Sequence, residues 1–337
     1  MKLIIQIPCY NEAETLPATL SSLPRHVPGV SCLETLVVDD GSSDGTAAVA
    51  QSLGVTHVIR HRKNMGLAKT FQAGVDAALR LGADVIVNTD GDNQYPGEFI
   101  PHLVAPILNG EADIVIANRQ VAEIDHFSPF KKVLQKVGSW TVRTVSGTDV
   151  PDAPSGFRAY SRDAALRLNV LTQFSYTLDT IIQAGKMGLN IVSVPVWTNG
   201  PTRPSRLQKS TWHFIKAQAS TIMRLYAFYE PLRTFSYISL PFLLAGLGLW
   251  LRFLYFVVTN QSGIGRYIQS VTIGTGLLLV GVLILLFGIQ ADIASKHRQL
   301  TQEVLYRLKK LELEKTQVPN PRPQPDNEYQ VVSERIA

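Results

Sequence analysis

Val85-Ile86-Val87-Asn88-Thr89-Asp90-Gly91-Asp92-Asn93-Gln94-Tyr95-Pro96 is the stretch around which the rest of the chain is organised. A short β-branched run reads as a buried strand, and it stops at two carboxylates one residue apart, followed at once by turn formers. Successive side chains on a strand alternate faces. A backbone that turns at Gly91, however, brings Asp90 and Asp92 together on one hard cation, with Gln94 adding a neutral oxygen. Such a half-shell leaves coordination positions for phosphate oxygens, the common way of holding Mg²⁺ beside nucleotides. An acidic surface turn has the same Asp-x-Asp signature, so the pair alone decides nothing. An EF-hand is excluded: counting from Asp90, the sixth position is Tyr95 where a Gly is needed, and the twelfth is Pro101 where a bidentate Glu is needed.

The surroundings give the pair its meaning. Lys2 to Ile7 reads as a strand broken at Pro8, and Asn11-Glu12-Ala13-Glu14-Thr15-Leu16 reads as a helix start with an N-cap-type residue and first-turn acids. Leu33 to Val38 predicts a second strand running into Asp39-Asp40-Gly41-Ser42-Ser43-Asp44-Gly45-Thr46, with a helix over Ala47 to Leu53. Val55 to Arg60 predicts a third strand, Leu67 to Leu81 and Phe99 to Leu108 predict helices, and Asp113 to Ala117 predicts a strand leading into Asn118-Arg119. Asp152 to Tyr160 reads as a turn and an extended piece carrying Arg158, which is either simply solvated or an anion contact beside the metal turn. Asp163 to Leu168 and Thr177 to Met187 read as helices, and Ile191 to Val196 as a strand. This alternation implies an α/β fold with a mostly parallel sheet between helices, whose ligands bind at the carboxyl ends of the strands. The acidic clusters fall at those ends. No Gly-x-Gly-x-x-Gly follows the first strand, and Gly185-Lys186 lacks the spacing and Ser/Thr of a P-loop, so a pyrophosphate here needs a metal and arginines.

The 337 residues are 45% hydrophobic, but unevenly so: Phe235 to Ile293 is almost uncharged and a polar tail follows. The expected organisation is a catalytic domain over 1–206, interfacial amphipathic helices over 207–234 including Trp212 to Phe228, a membrane hairpin over 235–293, and a cytosolic helix with a disordered tail over 294–337. Tyr237 to Val258 and Ile268 to Ile289 are each long enough to span a hydrocarbon core of about 30 Å. Lys216, Arg224 and Arg233 precede the first span and Lys296, Arg298, Arg307, Lys309 and Lys310 follow the second, while the connecting loop carries only Arg266. That distribution predicts a multi-pass protein of the inner cell membrane with the catalytic domain and both termini cytoplasmic. Leu300 to Leu313 reads as a charged amphipathic helix, and it or the hairpin is a candidate surface for homo-oligomer formation. The net charge of +5 belongs to residues flanking the apolar segments and reads as membrane-surface charge, not nucleic-acid binding. Cys9 and Cys32 have no metal or redox spacing, and the first strand is too short for a secretory leader.

Pro8-Cys9-Tyr10-Asn11-Glu12, Asp39 to Thr46, Asn64-Met65-Gly66-Leu67-Ala68, Asp90-Gly91-Asp92-Asn93-Gln94 and Ser155-Gly156-Phe157-Arg158 stand in the order and spacing of family 2 glycosyltransferases. From Met1 to about Arg206 the chain resembles bacterial dolichyl-phosphate-mannose-synthase-like polyprenyl-phosphate glycosyltransferases, which join a GT-A nucleotide-sugar-binding domain to a C-terminal membrane hairpin. The resemblance implies that Pro8, Tyr10, Glu12 and Asp40 contact the nucleoside. It implies that Asp90, Asp92 and Gln94 hold Mg²⁺ or Mn²⁺ on the diphosphate, and that Arg119 and Arg203 meet phosphates. Asp152 and Arg158 fall in the acceptor-side loop and, with Asp92, are the catalytic candidates. Ser205-Arg206 stands where many relatives carry Ser-Lys.

The implied reaction moves one sugar from a nucleotide-sugar to a polyprenyl phosphate at the bilayer, a step of cell-envelope biosynthesis. A phosphate monoester has its second pKa near about 6 and is already a nucleophilic anion, so no catalytic histidine is required. The absence of Gln-x-x-Arg-Trp favours single transfer over processive synthesis. Two alternatives stay open: transfer to a hydroxyl of a glycolipid or polysaccharide, and a non-catalytic membrane scaffold that binds a nucleotide-sugar.

Overall fold

The structure, a computed structural model, describes residues 1–120, 139–140, 142–170, 176–200, 224, 226–259, 264–316 and 330–331. Its sheet is built on β1 (Lys2–Cys9), an apolar run buried from Leu3 onward. A strand buried on both faces belongs in the middle of a parallel sheet. β1 pairs in parallel with β2 (Cys32–Asp39) on one side and β4 (Val85–Asn88) on the other, and β2 pairs in parallel with β3 (His57–Arg60). Beyond β4 the direction changes, because β6 (Arg158–Ser161) runs antiparallel between β4 and β5 (Ile114–Asn118), while β7 (Ile191–Pro195) is parallel to β5. With the two-residue β8 (Gln330–Val331) antiparallel on β3, the order is β7-β5-β6-β4-β1-β2-β3-β8.

Alternate residues of β1 feed two layers. Leu3, Ile5 and Ile7 join Val37, Val87, Ile100, Leu103 and Val104 in one core, under α1 (Leu16–Ser22) and α4 (Ile100–Leu108). The opposite face carries α3 (Leu67–Arg80), which follows α2 (Thr46–Ser52) and β3 in the chain. Gly74 gives α3 its close approach, since a Cβ there would stand 3.1 Å from Val38 Cγ2 and collide with the Gln6 amide. Phe71 of α3 stacks on Tyr176 at 4.1 Å between ring centres, joining α3 to α6 (Tyr176–Lys186). Replacing Ile5, which is fully buried, with Ala should cost about 2 to 5 kcal/mol.

Among the described residues, the strands and helices predicted from the pattern are present, with shifts of a few residues at their ends. Asn11 is different. It sits at φ 55° and spends its side chain on Ser43 N at 2.9 Å instead of capping a helix, and α1 begins only at Leu16, with a proline in its first turn.

The chain divides into two compact units, Met1–Gln218 with Glu303–Ala337, and Ala219–Gln302. In the second, α7 (Pro231–Val258) and α8 (Ile264–Thr316) each contain an 18-residue stretch, of mean hydropathy 1.8 and 2.5, and are long and apolar enough to cross a membrane. They pack antiparallel through glycines: a Cβ on Gly246 would lie 2.8 Å from Gly274 O, and one on Gly281 would lie 2.7 Å from a Leu243 methyl. The predicted second span and the charged helix after it form one continuous helix of 53 residues. Its last turns belong to the first unit. There Tyr306 donates to Asp163 of α5 (Arg162–Arg167) at 2.8 Å, Lys309 donates to Asp76 at 2.9 Å, and Leu313 is buried. Tyr306 and Lys309 therefore contact the chain's own α5 and α3. The segment 212–223, the loop Asn260-Gln261-Ser262, Arg203 and most of the tail lie outside the described residues.

Candidate active site

Parallel strands end on one edge, so the residues that follow β1, β2, β3 and β4 are neighbours by construction: Cys9 pairs with Asp39, Asp39 with Arg60, and Gln6 with Asn88. At β2 the two carboxylates divide their work. Asp39 is buried and accepts from Ser42 N at 3.0 Å, with Arg60 Nε at 3.2 Å from its other oxygen. Asp40 pairs with His61 Nδ1 at 2.9 Å and accepts the backbone N–H groups of Met65 at 2.7 Å and Gly66 at 2.9 Å. Burial alone would raise its pKa, but those donors outweigh it and hold the carboxyl below the ordinary aspartate range. Asp40 is thus the anchor of the Asn64-Met65-Gly66-Leu67-Ala68 loop, whose Gly66 takes φ 91° just before α3. Gly41 is required for the same packing, because a Cβ there would lie 2.6 Å from the Lys63 backbone.

β4 delivers the turn. Asn88 joins the middle of the sheet to the Ser155-Gly156-Phe157 segment: it accepts from Gln6 Nε2 at 2.9 Å and donates to Gly156 O at 2.8 Å. Gly156 in turn backs Asp90, since a Cβ there would stand 3.2 and 3.3 Å from the two carboxylate oxygens. On the other side Gly91 presses on β1, where a Cβ would lie 2.9 Å from Cys9 Sγ. Asp92 stabilises its own turn by accepting from Gln94 N at 3.1 Å. Burial, then the Asp92 carboxylate, push the Asp90 carboxyl up to about 7, with Arg119 pulling the other way. A turn that disfavours its own negative charge and carries two carboxylates suits a hard divalent cation, for which oxygen is the preferred donor. Among the described residues no group of three or more His, Cys, Asp or Glu makes a closed cage.

Arg119, at the end of β5, meets Asp152 through two side-chain bonds, Nε to Oδ2 at 2.7 Å and a terminal nitrogen to Oδ1 at 2.8 Å. Against burial, which works to discharge it, the Asp152 and Asp90 carboxylates hold its guanidinium charged. Tyr95, from the organising stretch itself, is buried and its phenol is pushed up, first by burial and against the pull of Arg119.

Arg158 corrects its expected role. It is fully buried, and its guanidinium donates to Ser155 O, Ala153 O, Thr177 O and Thr180 Oγ1 at 2.7 to 2.9 Å. With its donors consumed by backbone and a hydroxyl, it stitches the 153–155 turn to α6 and is not placed to grip an acceptor phosphate. Pro8 is buried in β1, Tyr10 is exposed at its end, and Glu12 is buried against the Gly91 turn, where it accepts from Thr15 Oγ1 at 2.7 Å. Cys9 is buried, and burial followed by the Glu12 carboxylate keeps its thiol protonated, which fits a packing residue. Sequence reasoning missed His61, although its position one residue past β3 puts it on the same edge as Asp40.

The model of glycosyl transferase family 2 matches residues 4–168. The chain is 32% identical over 206 residues to the undecaprenyl-phosphate mannosyltransferase of Micrococcus luteus, covering 58% of this chain and 83% of the relative. It is 30% identical over 204 residues to the polyprenol monophosphomannose synthase of Mycolicibacterium smegmatis, covering 57% and 76%. Among solved structures it superposes on glucosyl-3-phosphoglycerate synthase of Mycobacterium tuberculosis in complex with Mn²⁺, UDP and glucosyl-3-phosphoglycerate, with a TM-score of 0.51, 20% identity, and coverage of 67% of this chain and 79% of that one.

Proposed function

This chain belongs to glycosyl transferase family 2, and from that membership we propose that it moves one sugar from a nucleotide-sugar to the phosphate of a polyprenol at a membrane surface, with a divalent cation. The observation that carries the reading is the pairing of Asp90 and Asp92 at the end of β4 with Arg119 held close by Asp152. It makes a place for a diphosphate neutralised from two sides. The relatives named for transfer to undecaprenyl phosphate and polyprenol phosphate support the acceptor class, and α7 and α8 support an anchor beside it.

In this reading Asp90, Asp92 and Gln94 hold Mg²⁺ or Mn²⁺, which when bound supplies positive charge to the departing nucleoside diphosphate. Pro8, Tyr10 and Glu12 border the nucleoside, and Asp40 shapes that pocket by fixing the loop before α3. Arg119 binds a phosphate oxygen, oriented by Asp152. Arg203 is retained as an anion contact in the link toward the membrane. Both anions are thereby aligned without a base: an acceptor phosphate attacks as it is, and His61, bound to Asp40, serves the donor side. The catalytic domain and both termini are assigned to the cytoplasm.

The test is to incubate the full-length chain in detergent with Mn²⁺, undecaprenyl phosphate and a panel of radiolabelled nucleotide-sugars. One label should pass into an organic-soluble, acid-labile monoglycosyl phospholipid. Transfer only to hydroxyl acceptors, with undecaprenyl phosphate inert, would overturn the acceptor assignment.

A further inference from the structure

We infer that Thr19 and Asn199 are positioning residues that set the cation affinity of the Asp90–Gln94 turn by gripping its backbone from outside, an inference that rests on the cation reading above. Two like charges one residue apart repel, and the turn that presents them is strained, for Asn93 stands at φ 55°, a conformation that persists only where the surroundings impose it. Three carbonyls of the turn are claimed by donors from distant parts of the chain. Thr19 Oγ1 of α1 donates to Gly91 O at 3.0 Å, Asn199 Nδ2 donates to Asn93 O at 2.9 Å, and Asn199 N donates to Gln94 O at 2.9 Å.

Thr15 Oγ1 also lies 3.0 Å from Gly91 O, but it lies 2.7 Å from Glu12 Oε2. A hydroxyl has one hydrogen, and the shorter bond to a carboxylate takes that of Thr15; Thr19 Oγ1 also has Thr15 O at 3.3 Å, but the shorter approach to Gly91 O takes its hydrogen, which leaves Thr19 as the donor to Gly91. Thr19 is only 1% exposed, so no water replaces a lost bond. With Cys9 behind Gly91 and Gly156 behind Asp90, the turn is walled on both sides and clamped at its carbonyls. Removing a clamp lets the carboxylates part, and a cation that needs both is held less tightly.

The experiment is a Mn²⁺ titration of the full-length chain in detergent, reading free Mn²⁺ by electron paramagnetic resonance in the presence of UDP or GDP. Thr19→Val keeps the shape and deletes the hydroxyl, and should raise the Mn²⁺ dissociation constant about five- to tenfold, whereas Thr19→Ser should stay within about twofold of the parent. Asn199 is exposed and its replacement by Ala does not threaten folding, so it gives an independent arm with an expected loss of about two- to threefold. If Asp92→Asn abolishes uptake while Thr19→Val and Asn199→Ala bind as the parent does, the positioning inference is wrong and the cation reading stands. If the parent and Asp92→Asn take up equally little Mn²⁺ with either nucleotide, the cation reading falls and this inference falls with it.

Discussion

Arg119 and Asp152, 33 residues apart in sequence, face each other as a planar two-point pair, and the same carboxylate also accepts the Arg119 backbone N–H at 3.0 Å. The two side-chain bonds leave the guanidinium only its remaining edge for a ligand. Asp152→Ala should cost about 3 to 5 kcal/mol of stability, at the lower end because Arg119 keeps some solvent contact, by leaving a buried charge unpaired. Arg119→Lys should fold but lose about tenfold or more in kcat/KM for the donor, because an ammonium cannot serve Asp152 at two points and a phosphate as well. Thermal melts and steady-state kinetics check the two halves separately. Near-normal donor kinetics in Arg119→Lys would remove it from the phosphate site.

Arg158→Ala is expected to act on the fold, not on acceptor recognition. It strands the carbonyls of Ala153 and Ser155 in a fully buried site, each worth about 1 to 3 kcal/mol when unsatisfied. The melting temperature should fall sharply, while the surviving folded enzyme keeps its acceptor KM. A stable variant with a raised acceptor KM would restore the phosphate-gripping role.

Gly156→Ala tests how tightly Asp90 is backed. The added methyl would lie 2.8 Å from the Tyr176 hydroxyl and 3.2 Å from Asp90 Oδ2, so the carboxylate must shift by a few tenths of an ångström. A misplacement of that kind at a reacting centre should lower turnover by about tenfold or more with a smaller effect on melting. Turnover equal to the parent's would show that the site tolerates the shift.

Asp40 makes a pH-dependent contribution to stability whose sign follows from its bonds. His61, Met65 and Gly66 hold its carboxyl below the ordinary value of 3.8, so the folded state binds its proton less readily than the unfolded chain does. That stability is fully present above the ordinary value and is lost as the pH falls through the lower folded one. Asp40→Asn should therefore melt well below the parent near pH 7, and the gap should narrow toward about pH 3. A gap independent of pH would mean that the charge is not what anchors the loop.

Membrane topology is open to direct labelling. Cysteines placed at Ser262 and near the C-terminus should differ in intact cells, only the first reacting with an impermeant reagent. Equal labelling would overturn the cytoplasmic assignment of the termini.

The sequence by itself determined the alternation of elements and the edge on which chemistry collects. β1, β4 and the second half of β2 are mostly apolar, buried runs ended by turn formers, and parallel strands buried on both faces have to look like that. Once they are parallel, Asp39, Asp40, Asp90 and Asp92 can only gather at their carboxyl ends. Tertiary structure alone decided what each charged residue does there. An arginine has the same letter whether it is solvated, paired with an aspartate or buried, and Arg119 and Arg158 differ only in what surrounds them: one shares a carboxylate at the cleft, the other is enclosed by carbonyls from the 153–155 turn and α6. The antiparallel insertion of β6, the seat of His61 under Asp40, and the grip of Thr19 on Gly91 were likewise hidden. Each joins groups far apart in the chain, from 21 positions for His61 and Asp40 to 74 for Tyr160 and Ile86, with Thr19 and Gly91 at 72. Local periodicity carries no information about which distant donor a buried carbonyl or carboxylate will find. The packing of α1, α3 and α6 on the sheet settles that, because a polar group taken out of water must be paired wherever the fold leaves it.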